Sequence, residues 1–99
     1  MFARVATFEG GNDEELERLN EERMRSGEMN LPEGLRSAMV LSDRQGRRLF
    51  MTFFDSREAV EAAEEQFNRM GDEIPEDVRG RRVGVDVYEV VWSREAQQV

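Results

Sequence analysis

Asn20 is the first side chain whose type and position could bind a ligand. It lies four residues after Leu16 and four before Met24, a spacing that places all three on one face of a helix. A buried amide must find hydrogen-bond partners or cost about 1–3 kcal/mol, so Asn20 could bind a polar group of a ligand. The alternative, which we favour, is that Asn20 lies on the flank of the helix in contact with water or a backbone group.

Arg4 and Asp86 are charged residues within otherwise apolar strand patterns. If the first and last strands are antiparallel neighbours, both side chains share one face of the sheet. Arg4 could then hold an anionic substrate. The simpler interpretation is an ion pair across the strands or between subunits, because each charge would compensate the other on an apolar face.

Three further groups of side chains could also do chemistry, and each has a simpler structural interpretation. Tyr88 and Trp92 could stack on an aromatic ligand, but such aromatic residues more often anchor an interface. Some methionines could form an adaptable pocket wall, although they more simply fill the core: Met39, Met51 and Met70. An acidic run indicates the solvated outer face of a helix and not a metal site: Glu58, Glu61, Glu64 and Glu65.

The composition excludes several classes of function. The sequence contains no Cys and no His, which removes disulfides, thiolate nucleophiles, imidazole metal ligands and every histidine-based triad. Its 99 residues include 22 acidic and 14 basic side chains, for a net charge of -8, so we expect no binding to nucleic acid. No apolar run approaches the roughly 20 residues of a membrane span and no signal-peptide pattern opens the chain, so we expect a cytoplasmic protein that does not bind membranes.

Six elements must position these residues. Apolar runs bounded by turn residues predict strands at positions 2–9, 35–42, 48–54 and 82–92. Capping-box spacings predict one helix after Asn12 and a second after Asp55. The second helix has a clear apolar stripe and ends near Gly71, whereas the first, over about 13–25, has a thin stripe that anchors it poorly.

This order of elements predicts an α+β protein with the ferredoxin-like βαββαβ fold, a four-stranded antiparallel sheet with both helices on one face. In a monomer the other face would be wet, and its strands should alternate between apolar and polar residues. They do not, and leaving several large side chains wet would forgo roughly 1.5–3 kcal/mol each. We therefore predict a homodimer with sheet packed on sheet, and an interface formed by Phe2, Arg4, Phe8, Met51, Phe53, Asp86, Tyr88 and Trp92.

Four segments of the chain carry a family pattern: ARVATFEG at 3–10, SDRQG at 42–46, FFDSREA at 53–59 and VDVYEV at 85–90. Together they resemble the antibiotic biosynthesis monooxygenase branch of the dimeric α+β barrels. The resemblance covers about residues 1–92, which implies a single domain over 1–92 followed by a polar tail over 93–99.

The resemblance implies a small-molecule pocket between the sheet and the helices of each subunit. Thr7, Asn20, Thr52 and Phe54 are predicted to line it. The haem-degrading branch of this family uses an Asn on the first strand, a Trp just before the second helix and a His on that helix. Here the matching positions hold Ala3 and Phe54, and the sequence has no His, so haem degradation is not expected.

The resemblance therefore implies a cofactor-independent monooxygenase acting on a small aromatic or polyketide-like compound, in which the deprotonated substrate itself reacts with oxygen and no cofactor or metal is needed. No catalytic residue is assigned, because without His the base would be a carboxylate, Tyr88 or an Arg in an unusual environment. Two alternatives stay open: a non-catalytic homodimer that binds a small molecule, and a structural homodimer whose core is filled.

Overall fold

Four strands and three helices form the part of the chain that the computed structural model describes, residues 1–27 and 31–94. They are β1 (Phe2–Glu9), α1 (Asp13–Ser26), β2 (Leu35–Ser42), β3 (Arg47–Phe54), α2 (Arg57–Glu73), α3 (Glu76–Arg79) and β4 (Arg81–Glu89). Most of the predicted polar tail, residues 95–99, lies outside the described residues. Across the described ranges, no helix has the length and apolar character needed to cross a membrane.

The strands form one sheet in the order β2-β3-β1-β4, and every neighbouring pair is antiparallel. This topology confirms the predicted α+β, ferredoxin-like βαββαβ fold. The short helix α3 is an addition that the sequence pattern did not predict.

Local sequence explains where the long helices begin and end. Asn12 caps α1 by accepting a hydrogen bond from the backbone N–H of Glu15 at 3.1 Å, as the capping-box spacing predicts. The helix ends at Gly27, which adopts a φ of 73° in the left-handed region that glycine tolerates best. For α2 the cap is Ser56 and not the predicted Asp55, because Ser56 has the extended backbone that places its hydroxyl over the first turn.

The hydrophobic core lies between α2 and the middle of the sheet. Phe54 is fully buried, and it packs with its ring edge-on to Phe67 of α2 at 6.0 Å between ring centroids. Val60 and Ala63 complete this core from the same face of α2. In contrast, α1 has no buried residue, so the core is built by one of the two long helices.

The side chains of β1 lie on the opposite faces of the sheet from those predicted. Arg4 lies opposite Thr52 and Phe2 lies opposite Phe54 on β3, and residues paired in this way share a face. Phe2, Arg4 and Phe8 therefore face the helices, so their predicted position on the outer face is wrong, and Thr7 lies on the outer face and not toward the helices. The error has a physical reason, since β1 is apolar at both odd and even positions and its periodicity selects neither face.

None of the three described helices lies on the other face of the sheet. Phe53 of β3 lies opposite Ala3, which in turn lies opposite Tyr88 of β4, so these side chains share this outer face. Large apolar side chains are concentrated here, and we call them the outer-face patch: Met39, Leu41, Met51, Phe53 and Tyr88. Asp86 shares this face, whereas Trp92 lies beyond the end of β4 and is 77% exposed.

Candidate functional site

A groove of about 1350 Å³ lies between the sheet and the two long helices. Ala6 and Thr52 are the small side chains at its base on the sheet. Leu16 and Asn20 line it from α1, and Phe67 lines it from α2. The groove exists because small residues lie on the sheet beneath it and because α1 buries none of its own side chains there.

The structure brings together two of the four residues predicted to line a pocket. Asn20 and Thr52 both line the groove. Phe54 instead lies in the packed core, fully buried, where it supports the groove without lining it. Thr7 is on the opposite face of the sheet.

Arg4 is a buried cation beside the groove, with only 2% of its surface exposed. Its Nε and Nη2 atoms donate to the two carboxylate oxygens of Glu64 at 2.8 and 2.9 Å, and its guanidinium lies 4.6 Å from the centre of the Phe67 ring. The hydrogen bonds from Arg4 hold the pKa of Glu64 below its usual range, and the charge of Arg82 lowers it further. Glu64 is therefore an ionised partner of the arginine.

This pairing corrects two predictions. Arg4 does not pair with Asp86, which lies opposite Val5 on the other face of the sheet. Glu64 does not lie on the solvated outer face of α2 but reaches inward to the sheet. The signal was in the sequence, since Glu64 follows Val60 by four residues and therefore borders the apolar stripe.

Arg82 extends this ion pair into a cluster. Its Nη1 atom donates to Oδ1 of Asn68 on α2 at 2.7 Å, and its charge acts on Glu64. Both Arg4 and Arg82 line the groove. The Arg4–Glu64–Arg82 cluster holds two guanidinium groups and one carboxylate, so it carries one net positive charge.

A second buried arginine, Arg48, fastens the beginning of α1. Only 4% exposed, it donates from Nε to Oδ1 of Asp13 at 2.6 Å, from Nη1 to the carbonyl of Arg79 at 2.6 Å and from Nη2 to the carbonyl of Gly10 at 3.1 Å. Asp13 also accepts a hydrogen bond from the Ser42 hydroxyl at 2.7 Å. The bonds from Ser42 and Arg48 lower the pKa of Asp13, so its carboxylate stays ionised in this clamp.

The turn before α1 packs its backbone directly on α3. The N–H of Asn12 donates to the carbonyl of Val78 at 2.9 Å. A Cβ atom on Gly11 would lie 2.6 Å from that same carbonyl oxygen and 2.7 Å from the nitrogen of Gly80, and Gly11 has a φ of +83°. Only glycine fits here, so the N-terminal end of α1 is held closely while its remaining length is not.

Arginine and amide side chains supply most of the polar groups that line the groove. Among residues 1–27 and 31–94, no group of three or more side chains is placed to hold a metal ion. Glu64 is a weak base, because the hydrogen bonds that lower its pKa also stabilise its ionised form. What the groove offers a ligand is aromatic surface and guanidinium groups.

Solved structures of low sequence identity share this fold. A proposed antibiotic biosynthesis monooxygenase from Deinococcus radiodurans matches with a TM-score of 0.64 at 14% identity, covering 99% of this chain and 100% of that one. A proposed antibiotic biosynthesis monooxygenase from Bacillus cereus matches with a TM-score of 0.52 at 22% identity, over 99% and 98% of the two chains. A MhuD mutant with two manganese protoporphyrin IX molecules bound per active site matches with a TM-score of 0.59 at 14% identity, over 97% and 100%.

No protein-family model matches the chain, and no curated protein matches it at a significant level. The solved structures nevertheless cover nearly the whole described sheet and its helices, and they agree with the element order that the sequence predicts. The chain therefore has the ferredoxin-like α+β fold of the antibiotic biosynthesis monooxygenase-like structures.

Proposed function

We propose that the groove binds a small aromatic or polyketide-like compound and that the protein is a cofactor-independent monooxygenase acting on it as a homodimer. The observation that carries this proposal is the groove itself, about 1350 Å³ of open space between sheet and helices in a chain of only 99 residues. A filled core would instead have favoured a purely structural role. That the protein acts in the cytoplasm stays a prediction from the sequence.

The groove suits a flat apolar ligand. Phe67 and Phe50 both line it, with their rings edge-on at 5.8 Å between centroids. Aromatic rings pack favourably against one another in offset or edge-on arrangements, so a flat ring system would find partners here. Leu16 and Met24 of α1 supply apolar surface on the opposite wall.

The chemistry proposed needs only substrate and oxygen. A methylene group between two aryl rings, conjugated through them with a ketone, loses a proton to water, and the resulting carbanion transfers electrons to O₂. One oxygen atom forms the new carbonyl, while the other leaves as water with the two methylene hydrogens, so the substrate supplies all the electrons. Because Glu64 is a weak base, the substrate must be acidic enough to ionise readily, and the positive cluster beside it stabilises the anion.

Haem does not fit this groove through its iron. The proximal ligand of haem is usually His, Cys or Tyr, and Met is an axial ligand together with a His. His and Cys are absent from the sequence, and its one Tyr, Tyr88, lies on the outer face of the sheet, away from the groove. We therefore derive no step through haem, although the MhuD structure of similar fold binds a protoporphyrin.

The activity is tested with anthrone, a tricyclic aromatic ketone with an acidic methylene group. Purified protein in buffer with chelator and no added cofactor should convert anthrone to anthraquinone with the uptake of one O₂ per molecule. Asn20→Trp should obstruct the groove and reduce both binding and turnover, whereas the matched Glu21→Trp, at an exposed position on the same helix, should change neither.

A second candidate function is non-catalytic binding of the same class of ligand. The ionised state of Glu64 favours it, because the pKa of this carboxylate is lowered and not raised as in a general base. Anthrone that binds in an Asn20-dependent way without forming anthraquinone would support this candidate. A protein that neither binds nor oxidises anthrone would contradict both.

The homodimer follows from the outer-face patch. Met39, Leu41 and Tyr88 are 46%, 44% and 57% exposed, and they adjoin Met51 and Phe53 on the same face. Contiguous apolar surface of this kind typically marks an interaction site. Because the patch belongs to a sheet face that none of the described helices covers, a second copy can pack there sheet on sheet.

Sedimentation of the purified protein tests the dimer. The wild type should sediment at twice the mass of the 11.5 kDa chain, and Phe53→Arg should yield monomer because it places an unpaired charge in the interface. The matched variant Ala62→Arg, at an exposed position on α2, should remain dimeric. A monomeric wild type would contradict this part of the proposal.

A further inference from the structure

We infer that the groove binds its ligand as an anion, and that the Arg4–Glu64–Arg82 cluster holds the anionic group. This rests on the proposed function, because it names the class of ligand that the groove takes. The ligand would have a flat apolar body and an ionised oxygen, as in an enolate, a phenolate or an aromatic acid.

The first argument is the charge balance of the cluster. Glu64 is the only carboxylate that pairs with Arg4 or Arg82 among the described residues, and Arg82 otherwise bonds the neutral amide oxygen of Asn68. One positive charge is left over. An anion within reach of both arginines would neutralise it through charge-assisted hydrogen bonds, which are stronger than neutral ones.

The second argument is burial. Arg4 is 2% exposed, and one side of its guanidinium lies against the Phe67 ring, so its charge is shielded from water. Electrostatic attraction is stronger where water is excluded. An anion that reaches the base of the groove therefore gains more from Arg4 than it would from an arginine at the surface.

The other charged side chains of the groove also favour an anionic ligand. Arg23 of α1 and Arg69 of α2 line it, and neither has a carboxylate partner among the residues that the structure describes. Among the described residues, the acidic side chains that line it come only from the stretch where α2 ends and α3 begins: Asp72, Glu73 and Glu76. In a chain with a net charge of -8, a groove with this excess of arginine is selective for anions.

Two fluorescent probes of the same shape separate charge from apolar fit. 8-Anilinonaphthalene-1-sulfonate carries a sulfonate, and N-phenyl-1-naphthylamine is the same ring system without it. The sulfonate probe should bind about tenfold more tightly than the neutral one, since hydrogen bonds to charged groups are the stronger class. Added salt should reduce that preference.

Two substitutions in the cluster should change the preference in opposite directions. Arg82→Gln removes the excess charge and should abolish most of the preference for the sulfonate probe. Glu64→Gln leaves Arg4 an acceptor while removing the negative charge, so it should tighten binding of the sulfonate probe severalfold. Arg47→Gln changes the net charge as Arg82→Gln does, at an exposed position outside the groove, and should leave the preference unchanged.

The outcomes separate this inference from the proposed function. If both probes bind equally well, or if the preference ignores Arg82→Gln, the anion inference is overturned while the groove remains a binding site. If neither probe binds, the inference and the proposed function fall together. Because Arg82 is exposed, its variant should fold, and circular dichroism with a thermal melt verifies that for each variant.

Discussion

The two long helices lie on the same face of the sheet but are held there by different forces. Helix α2 buries Val60, Ala63 and Phe67 against β1 and β3, whereas α1 has no buried residue. What holds α1 is polar: the clamp of Arg48 on Asp13 and the packing of its first turn on α3. An apolar stripe closes the space under a helix, while a polar contact at one end leaves that space open, and the groove is the result.

The largest effect is expected in the apolar half of this comparison. Phe67→Ala should lower the free energy of unfolding by about 3–5 kcal/mol, because it removes a ring that contacts both Phe50 and Phe54. Met24→Ala, on α1 and 69% exposed, should change it by less than about 0.5 kcal/mol. Urea denaturation measures both, and equal losses would mean that α1 packs as α2 does.

A smaller but more local effect is expected at the clamp. Arg48→Met should cost about 2 kcal/mol, because it removes the hydrogen bonds that Arg48 donates to Asp13 and to two backbone carbonyls. Amide hydrogen exchange should increase throughout α1 and remain slow in α2. Arg47→Met, at the exposed neighbouring position, is the control and should alter neither helix. Uniform loss of protection in both helices would contradict a role confined to α1.

The smallest effect concerns pH. The pKa of Asp13 is lowered in the folded state, so this group stabilises the fold above its ordinary value of 3.8, and that contribution is lost as the pH falls through the folded value. Asp13→Asn should therefore cost about 1 kcal/mol at pH 7, and the difference from the wild type should shrink below about pH 4. Urea melts at pH 7, 5 and 3 measure this. If the difference in free energy of unfolding between wild type and Asp13→Asn stayed constant over that range, the charge of Asp13 would not stabilise the fold.

Much of the fold could be predicted because its signals are local. The cap at Asn12 and the stripe of α2 each depend on residues a few positions apart, and each is found where the sequence predicts it. The facing of β1 could not be predicted in this way, because a strand that is apolar on both sides has no periodic signal. Which face each β1 side chain occupies depends on partners distant in the sequence, such as Glu64 for Arg4.

The candidate site follows the same division. Asn20 could be found from helix periodicity, whereas Thr52 was predicted only from the family resemblance. The clamp could not, since Arg48 joins Asp13 to two carbonyls from other segments, and nothing in the spacing of these residues brings them together. The inward position of Glu64 could have been predicted, because it borders the apolar stripe of α2. It was missed because Glu64 belongs to an acidic run that is typical of a solvated helix face.

The close packing of Gly11 against α3 fixes the N-terminal end of α1, so a tilt of this helix would pivot about that end. Helix α1 extends over Asp13–Ser26. At about 1.5 Å per residue, a tilt of about 10° about its N-terminal end would displace its C-terminal end by about 4 Å. Such a rotation widens the groove most near Met24 and least near Leu16. The angle between α1 and the sheet would thus limit the size of the ligand. A substitution at Gly11, far from the bound molecule, could change that limit.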